Sequence, residues 1–204
     1  MKLFFSPGAC SLAPHILLRE TGADFTLVEV DTAAKTTAGG ADYLAINPKG
    51  QVPLLVLDDG QSLSEGPVIA QYIADLAGAT SLMPAAGTLA RYRVMEWQNH
   101  ITSELHKSFT PLFNPVLPAS AKDVLRPLLR KKYEWLESRL VPGGGLTAAP
   151  FTAADAYLFT VSRWAGHVGL DLSDLPALQR FMASVAERPA VRAALMAEGL
   201  TVRT

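Results

Sequence analysis

The 204-residue sequence predicts an α/β domain followed by an all-helical domain. Three observations carry that prediction. The first eighty residues set short apolar runs around helical stretches in the order βαβ-ββα. Residues 79–87 hold Gly, Pro, Ala and Thr without a period and form a linker. Beyond residue 87 the patterning is helical and no strand signal follows. The expected organisation is therefore a first domain over 1–78, a linker over 79–87 and a helical domain over 88–204.

The elements follow in order. Lys2 to Ser6 is an apolar, aromatic run stopped by Pro7-Gly8, the signature of a short buried strand. From Ser11, the spacing of Leu12, Ile16 and Arg19-Glu20 suits a helix. Pro14 is tolerated there only near the first turn, and Gly22 supplies the stop. Phe25 to Val30 is a second strand, and strand, helix, strand makes a βαβ unit with a parallel pair. Residues 31–50 are irregular, with one helical turn near Asp42 to Ile46. Val52 to Leu57 is a strand with proline at its entry. Asp59-Gly60 is a hairpin turn, and Ser62 to Ser64 is the return strand. A helix runs from about Pro67 to Leu76, ended by Gly78. In the second half, helical patterns cover Leu89 to Phe109, broken by Pro111 and Pro115, and Ala121 to Leu140. A loop is expected at Pro142-Gly143-Gly144-Gly145. Thr152-Ala153-Ala154-Asp155 has the form of a capping box, with a helix through Tyr157, Leu158, Val161 and Trp164 behind it. Two short helices follow, near Pro176 to Ala186 and Pro189 to Ala197.

Composition excludes several function classes. With 18 basic and 19 acidic side chains, the chain has no electrostatic case for nucleic acid or an anionic membrane. Its apolar runs are too short for a membrane span or a secretory signal, so a cytoplasmic protein is expected. A single cysteine, Cys10, precludes an intramolecular disulfide and a cysteine-rich metal site, and the four histidines lack a zinc motif's spacing. No metal is expected.

Three places could carry chemistry. Cys10 and Ser11 sit where the first strand hands over to the first helix, whose unpaired N–H groups favour a thiolate. Cys10 is equally readable as a small packing residue, and Ser11 as a helix cap. Val52-Pro53 opens a strand. A trans bond is the default there, whereas a cis bond would turn the Val52 backbone outward to pair with an extended peptide. Glu65 precedes a helix opened by Gly66-Pro67. It either interacts with its own helix N-terminus or accepts a ligand ammonium, with the helix start taking a carboxylate.

Four segments resemble one family. Ser6-Pro7-Gly8-Ala9-Cys10-Ser11, Asn47 to Pro53, Leu63 to Tyr72 and Pro150 to Leu158 are similar, in order and across almost the whole chain, to the glutathione transferases, specifically the bacterial beta class. The resemblance implies a thioredoxin-like first domain that binds glutathione and a helical domain that lines the electrophile site. It implies that Cys10 faces the glutathione sulfur and can form a mixed disulfide with it, and that Ser11 is a neighbouring catalytic hydroxyl that can donate to the thiolate. It places Lys35 at the glycyl end, Val52 with a cis Pro53 on the cysteinyl backbone, and Glu65 with Gly66 on the γ-glutamyl end. In the helical domain it places His106 near the sulfur. Asn99, Ser103 and Glu104 then help hold glutathione, partly across a homodimer interface.

The function expected is conjugation of the glutathione thiolate to small hydrophobic electrophiles, a detoxification chemistry. A second activity is thiol–disulfide exchange through Cys10. Residue 13 is Ala, so no resolving cysteine is present and that cycle requires a second glutathione. The competing reading is a non-catalytic ligand-binding or partner-docking module on the same fold.

Overall fold

The computed structural model describes residues 1–141, 145–147, 149 and 151–201. Pro142, Gly143 and Gly144 of the expected loop, and Pro150 of the fourth segment, lie outside them. Contacts divide the chain into two compact units. One is Met1–Met83 together with the segment that begins at Glu187, and the other is Pro84–Ala186. The sequence placed the last helix in the domain over 88–204, whereas its contacts group it with the first unit.

The first unit is built on a five-stranded sheet of order β3-β2-β1-β4-β5. Its strands are β1 (Lys2–Phe5), β2 (Thr26–Asp31), β3 (Thr36–Thr37), β4 (Leu54–Val56) and β5 (Ser62–Ser64). β1 and β2 are parallel, as the βαβ reading requires, whereas β4 and β5 run antiparallel. The two-residue β3 lay inside a stretch expected to be irregular. Its pairing with β2 joins Thr37 to Val30 and Thr36 to Asp31, a tertiary partnership with no local signal. One sheet face buries Phe4, Val30, Tyr43 and Leu54 together. Strand alternation sends Leu3 and Phe5 to the other face. The helices of this unit are α1 (Leu12–Glu20), the single turn α2 (Tyr43–Ile46), α3 (Gly66–Leu76) and, from the far end of the chain, α9 (Pro189–Ala197). α1 is buried along most of its length, from Leu12 to Leu18, because both α3 and α9 pack on it.

The second unit is helical throughout its described residues. It contains α4 (Leu89–His100), a π-helical turn (Ile101–His106), α5 (Lys107–Phe113), α6 (Ala119–Glu137), α7 (Ala153–Ser162) and α8 (Pro176–Ala186). The sequence expected one α-helix over Leu89 to Phe109, ended by Pro111. Instead the helix changes its winding at Ile101, where the Thr102 hydroxyl donates to the Gln98 carbonyl at 2.8 Å. The Lys107 amide then reaches back five residues to the Thr102 carbonyl. Pro111 lies inside α5 and does not end it. Every residue of α7 is buried, the pattern of a helix surrounded by its neighbours. Its one acidic group, Asp155, is 1% exposed. The Asp155 carboxylate accepts from the Thr152 amide (2.7 Å), the Thr152 hydroxyl (2.6 Å) and the Leu146 amide (2.9 Å).

Candidate functional site

Sheet register gathers the first unit's candidate residues. Phe4 pairs with Leu54, so the loop after β1 leaves the sheet beside Val52-Pro53. Leu54 also pairs with Ser64, so Pro53 lies beside Glu65 and Gly66. A Cβ at Gly66 would stand 3.9 Å from the Pro53 ring. Three segments far apart in sequence thus meet at one end of the neighbouring strands β1, β4 and β5.

The Val52-Pro53 bond is cis. The loop before it is tied from several directions. The Gln51 carbonyl accepts from the Tyr43 hydroxyl at 2.8 Å and from the Asn47 amide at 2.7 Å. Burial pushes the Tyr43 phenol up, with the Asn47 bond pulling the other way, and the hydroxyl remains a donor. Lys35 donates its ammonium to the Gly50 carbonyl at 2.8 Å. Gly50 is required at this point, because its φ is +60° and a Cβ would meet the Leu44 side chain at 2.9 Å.

Cys10 is half-buried, and its thiol donates to the Val52 carbonyl at 3.2 Å. Ser11 is fully buried. Its hydroxyl accepts from the Ser6 amide at 3.2 Å and donates to the Ser6 carbonyl at 3.3 Å. The side chain makes no cap bond to α1. The geometry therefore gives Ser11 a bracing function within the loop, and its proton is directed at Ser6.

A buried polar chain, which sequence reasoning missed, holds the same loop from α9. Glu198 presents one carboxylate oxygen to His15 Nδ1 at 2.8 Å and the other to the Gly8 amide at 2.9 Å. Both side chains of the His15–Glu198 pair are fully buried. Arg19 Nε donates to His15 Nε2 at 2.9 Å. Arginine can only donate, so His15 carries its proton on Nδ1 and passes it toward Glu198. The one sequence signal was the four-residue spacing of His15 and Arg19, which puts them on one helix face.

Glu65 stands at φ +70°, a conformation costly for a side chain other than glycine. Its carboxylate is paired with Lys49 at 3.0 Å, and the same ammonium donates to the Ser64 hydroxyl at 3.1 Å. Both partners of the ion pair are exposed, so a ligand ammonium can exchange with Lys49 at little cost.

In the second unit, Asn99 and Ser103 are exposed and Glu104 is half-buried. Lys132 binds Glu104 through its carboxylate (2.9 Å) and its carbonyl (3.0 Å), and holds that carboxyl below its usual range. His106 ends the π-helical turn. Its Nδ1 lies 2.7 Å from the Tyr157 hydroxyl, and its ring packs on Trp164 with centroids 4.8 Å apart. Among the described residues, no three His, Cys, Asp or Glu are grouped to hold a metal ion, and no helix is long and apolar enough to cross a membrane.

His100, beside Trp97 and Trp135, has its Nε2 buried without a partner. Burial is the main cause that lowers its pKa. Glu104 opposes the shift and Lys132 assists it. The folded chain therefore binds this proton less readily than the unfolded chain. The resulting stability is present above the ordinary value of 6.5 and is lost as pH falls through it. His100→Phe should flatten that part of the profile and raise stability by about 1 kcal/mol, since a buried polar atom without a bond carries a cost of that order. Urea midpoints measured on either side of the histidine range check this.

Comparison with known proteins agrees with this geometry. Residues 8–76 match the glutathione S-transferase N-terminal domain, and residues 100–189 match the C-terminal domain of the same family. Glutathione S-transferase GstA of Escherichia coli O157:H7 is 52% identical over 98% of this chain and 100% of its own length. A sphingomonad glutathione S-transferase solved with glutathione is 47% identical, with a TM-score of 0.93 over 98% of this chain and 100% of that one. The bacterial beta-class enzyme of Sphingomonas chungbukensis is 46% identical, with a TM-score of 0.94 over the same shares. A thiol and a cis-proline edge in one unit, a helical second unit and these likenesses have one reading: the chain belongs to the glutathione S-transferase family, in its bacterial beta class.

Proposed function

We propose the following division of labour for the reaction of this enzyme, in which the glutathione thiolate is conjugated to small electrophiles. The Val52 backbone pairs with the cysteinyl segment of glutathione as a short added strand. Glu65 exchanges Lys49 for the γ-glutamyl ammonium, and the start of α3, at Gly66, takes the carboxylate. Lys35 fixes the edge through Gly50 and faces the glycyl end. Asn99, Ser103 and Glu104 add contacts from a helical unit, and His106 donates to the sulfur. The observation that carries this reading is the Cys10 thiol on the Val52 carbonyl. A peptide paired on Val52 brings its own sulfur to Cys10. Free glutathione ionises near the model thiol value of about 8.5, so only a few per cent is nucleophilic at pH 7. Lowering that value by about two units makes most of it thiolate.

Cys10 supports a second chemistry. Its thiolate attacks a glutathionyl mixed disulfide at the glutathione sulfur, the other thiolate leaves, and Cys10 holds glutathione as a disulfide. A second glutathione thiolate then attacks that bond, leaves as oxidised glutathione and restores Cys10. Cys10→Ala should abolish disulfide reduction and leave conjugation to an aryl halide within a few-fold of wild type. Parallel initial rates of the two reactions, in wild type and variant, check this. Equal loss of both would place Cys10 in conjugation, and glutathione binding without turnover across an electrophile panel would favour a non-catalytic module.

A homodimer is part of the same proposal. Leu89 and Tyr92 on α4, with Val124 and Leu128 on α6, are exposed apolar side chains that support self-association. Light scattering at twice the chain mass is the expected result. A single cysteine and a near-balanced charge support a cytoplasmic setting, and detoxification of electrophiles is the role that fits this chemistry.

A further inference from the structure

We infer that Tyr157 is a positioning residue for this reaction. Its hydroxyl fixes His106 in the tautomer that carries the proton on Nε2, so that the ring presents a permanent N–H donor to the sulfur. This rests on the role proposed above for His106. The tautomer itself rests on geometry within the helical unit alone.

Nδ1 of His106 and the Tyr157 hydroxyl lie 2.7 Å apart, so one proton is shared between them. The Thr102 hydroxyl lies 3.5 Å from the same phenol oxygen. The Thr102 proton goes to the nearer acceptor, the Gln98 carbonyl at 2.8 Å. An imidazole nitrogen is a better acceptor than a phenol oxygen, and a phenol is a good donor. The phenolic proton therefore points at Nδ1. A neutral imidazole with Nδ1 accepting has its proton on Nε2. The ring plane is held by the Trp164 contact, edge to face at 70°, and Tyr157 is 5% exposed on the wholly buried α7. The π-helical turn contributes too. It winds Ile101–His106 so that Thr102 and His106 both reach the one hydroxyl. A ring held on two sides, with one tautomer selected, is preorganised to donate. A mobile ring would alternate between tautomers and present a lone pair to the thiolate for part of the time.

The test is nitrogen NMR on histidine-labelled enzyme, with His106 assigned by the loss of its signals in His106→Ala. In the wild type, Nε2 should be protonated and Nδ1 a hydrogen-bonded acceptor. The reverse assignment overturns the proposal without recourse to any variant. Tyr157→Phe removes one oxygen and keeps the ring. It should give a mixture of tautomers and a several-fold smaller thiolate fraction of bound glutathione at neutral pH, read by ultraviolet absorbance. It should also lower kcat by about tenfold, the order expected for one bond to a charged group, with KM for glutathione nearly unchanged. Unchanged tautomer and thiol ionisation in Tyr157→Phe overturn the positioning role even if activity falls. A thiol ionisation that stays the same in His106→Ala overturns the proposal through its parent reading, since His106 then does not act on the sulfur.

Discussion

Replacing Glu198 with alanine should lower the stability of the enzyme by about 3 kcal/mol and raise KM for glutathione about tenfold, although this side chain lies outside the residues proposed to hold glutathione. The stability term comes from its two bonds, to the Gly8 amide and to His15. Each is charge-assisted, the bond to His15 buried and the bond to Gly8 part-buried, and losing them costs about 1.5–3 kcal/mol apiece, less what relaxation recovers. For a chain of this size that loss is a melting shift of roughly 10 °C. The binding term has a different origin. Gly8 stands at φ +70°, two residues before Cys10, and Glu198 is what secures its amide. A looser loop costs order each time glutathione binds, so KM should rise more than kcat falls. Glu198→Gln keeps one acceptor oxygen and should land between the two. Thermal melts with glutathione saturation curves check the pair, and an alanine variant with wild-type KM would show that the loop holds itself.

Asp155→Ala should be more damaging to stability, by about 3–5 kcal/mol, with little direct effect on the chemistry of the molecules that still fold. Among the described residues, the Thr152 amide, the Thr152 hydroxyl and the Leu146 amide all donate to this carboxylate in a 1%-exposed site. Two come from Thr152, which opens α7, and one from Leu146 in the preceding segment. The substitution orphans buried amides at the start of a helix that has no solvent-facing side to relieve them. The urea midpoint should fall while the denaturant slope stays constant. Asp155→Asn retains one acceptor oxygen and should cost less than half as much.

Both residues bear on what a sequence can disclose. Thr152 and Asp155 are three apart, and their box was legible because capping is local. The βαβ-ββα order was legible for the same reason, from apolar runs and their breakers. At Val52-Pro53 residue chemistry alone made trans the default, and only the family resemblance implied the cis bond that the structure has. Glu198 was illegible: its partners His15 and Gly8 lie 183 and 190 residues away. Nothing near position 198 announces them, so α9 was assigned to the helical domain. Pro111 misled, as a proline in a helical pattern reads as a stop, yet α5 runs on through it to Phe113. Ser11 was read beside the thiol by adjacency, whereas its hydroxyl closes on Ser6. His106 drew notice only through the family resemblance, and Tyr157 was seen only as a residue of its helix. Their 2.7 Å contact joins elements 51 residues apart.

The place of α9 has a consequence for how the enzyme is made. Residues 1–83 leave the ribosome before the helical unit and contain every strand of the sheet. They do not contain the helix that covers α1, nor the carboxylate that His15 and Gly8 require. Through translation of the whole helical unit, α1 therefore carries an uncovered flank and a histidine–arginine pair without its anion. The first unit is thus made in two instalments on either side of the helical unit, and its packing is closed only when residues 187–200 have been delivered.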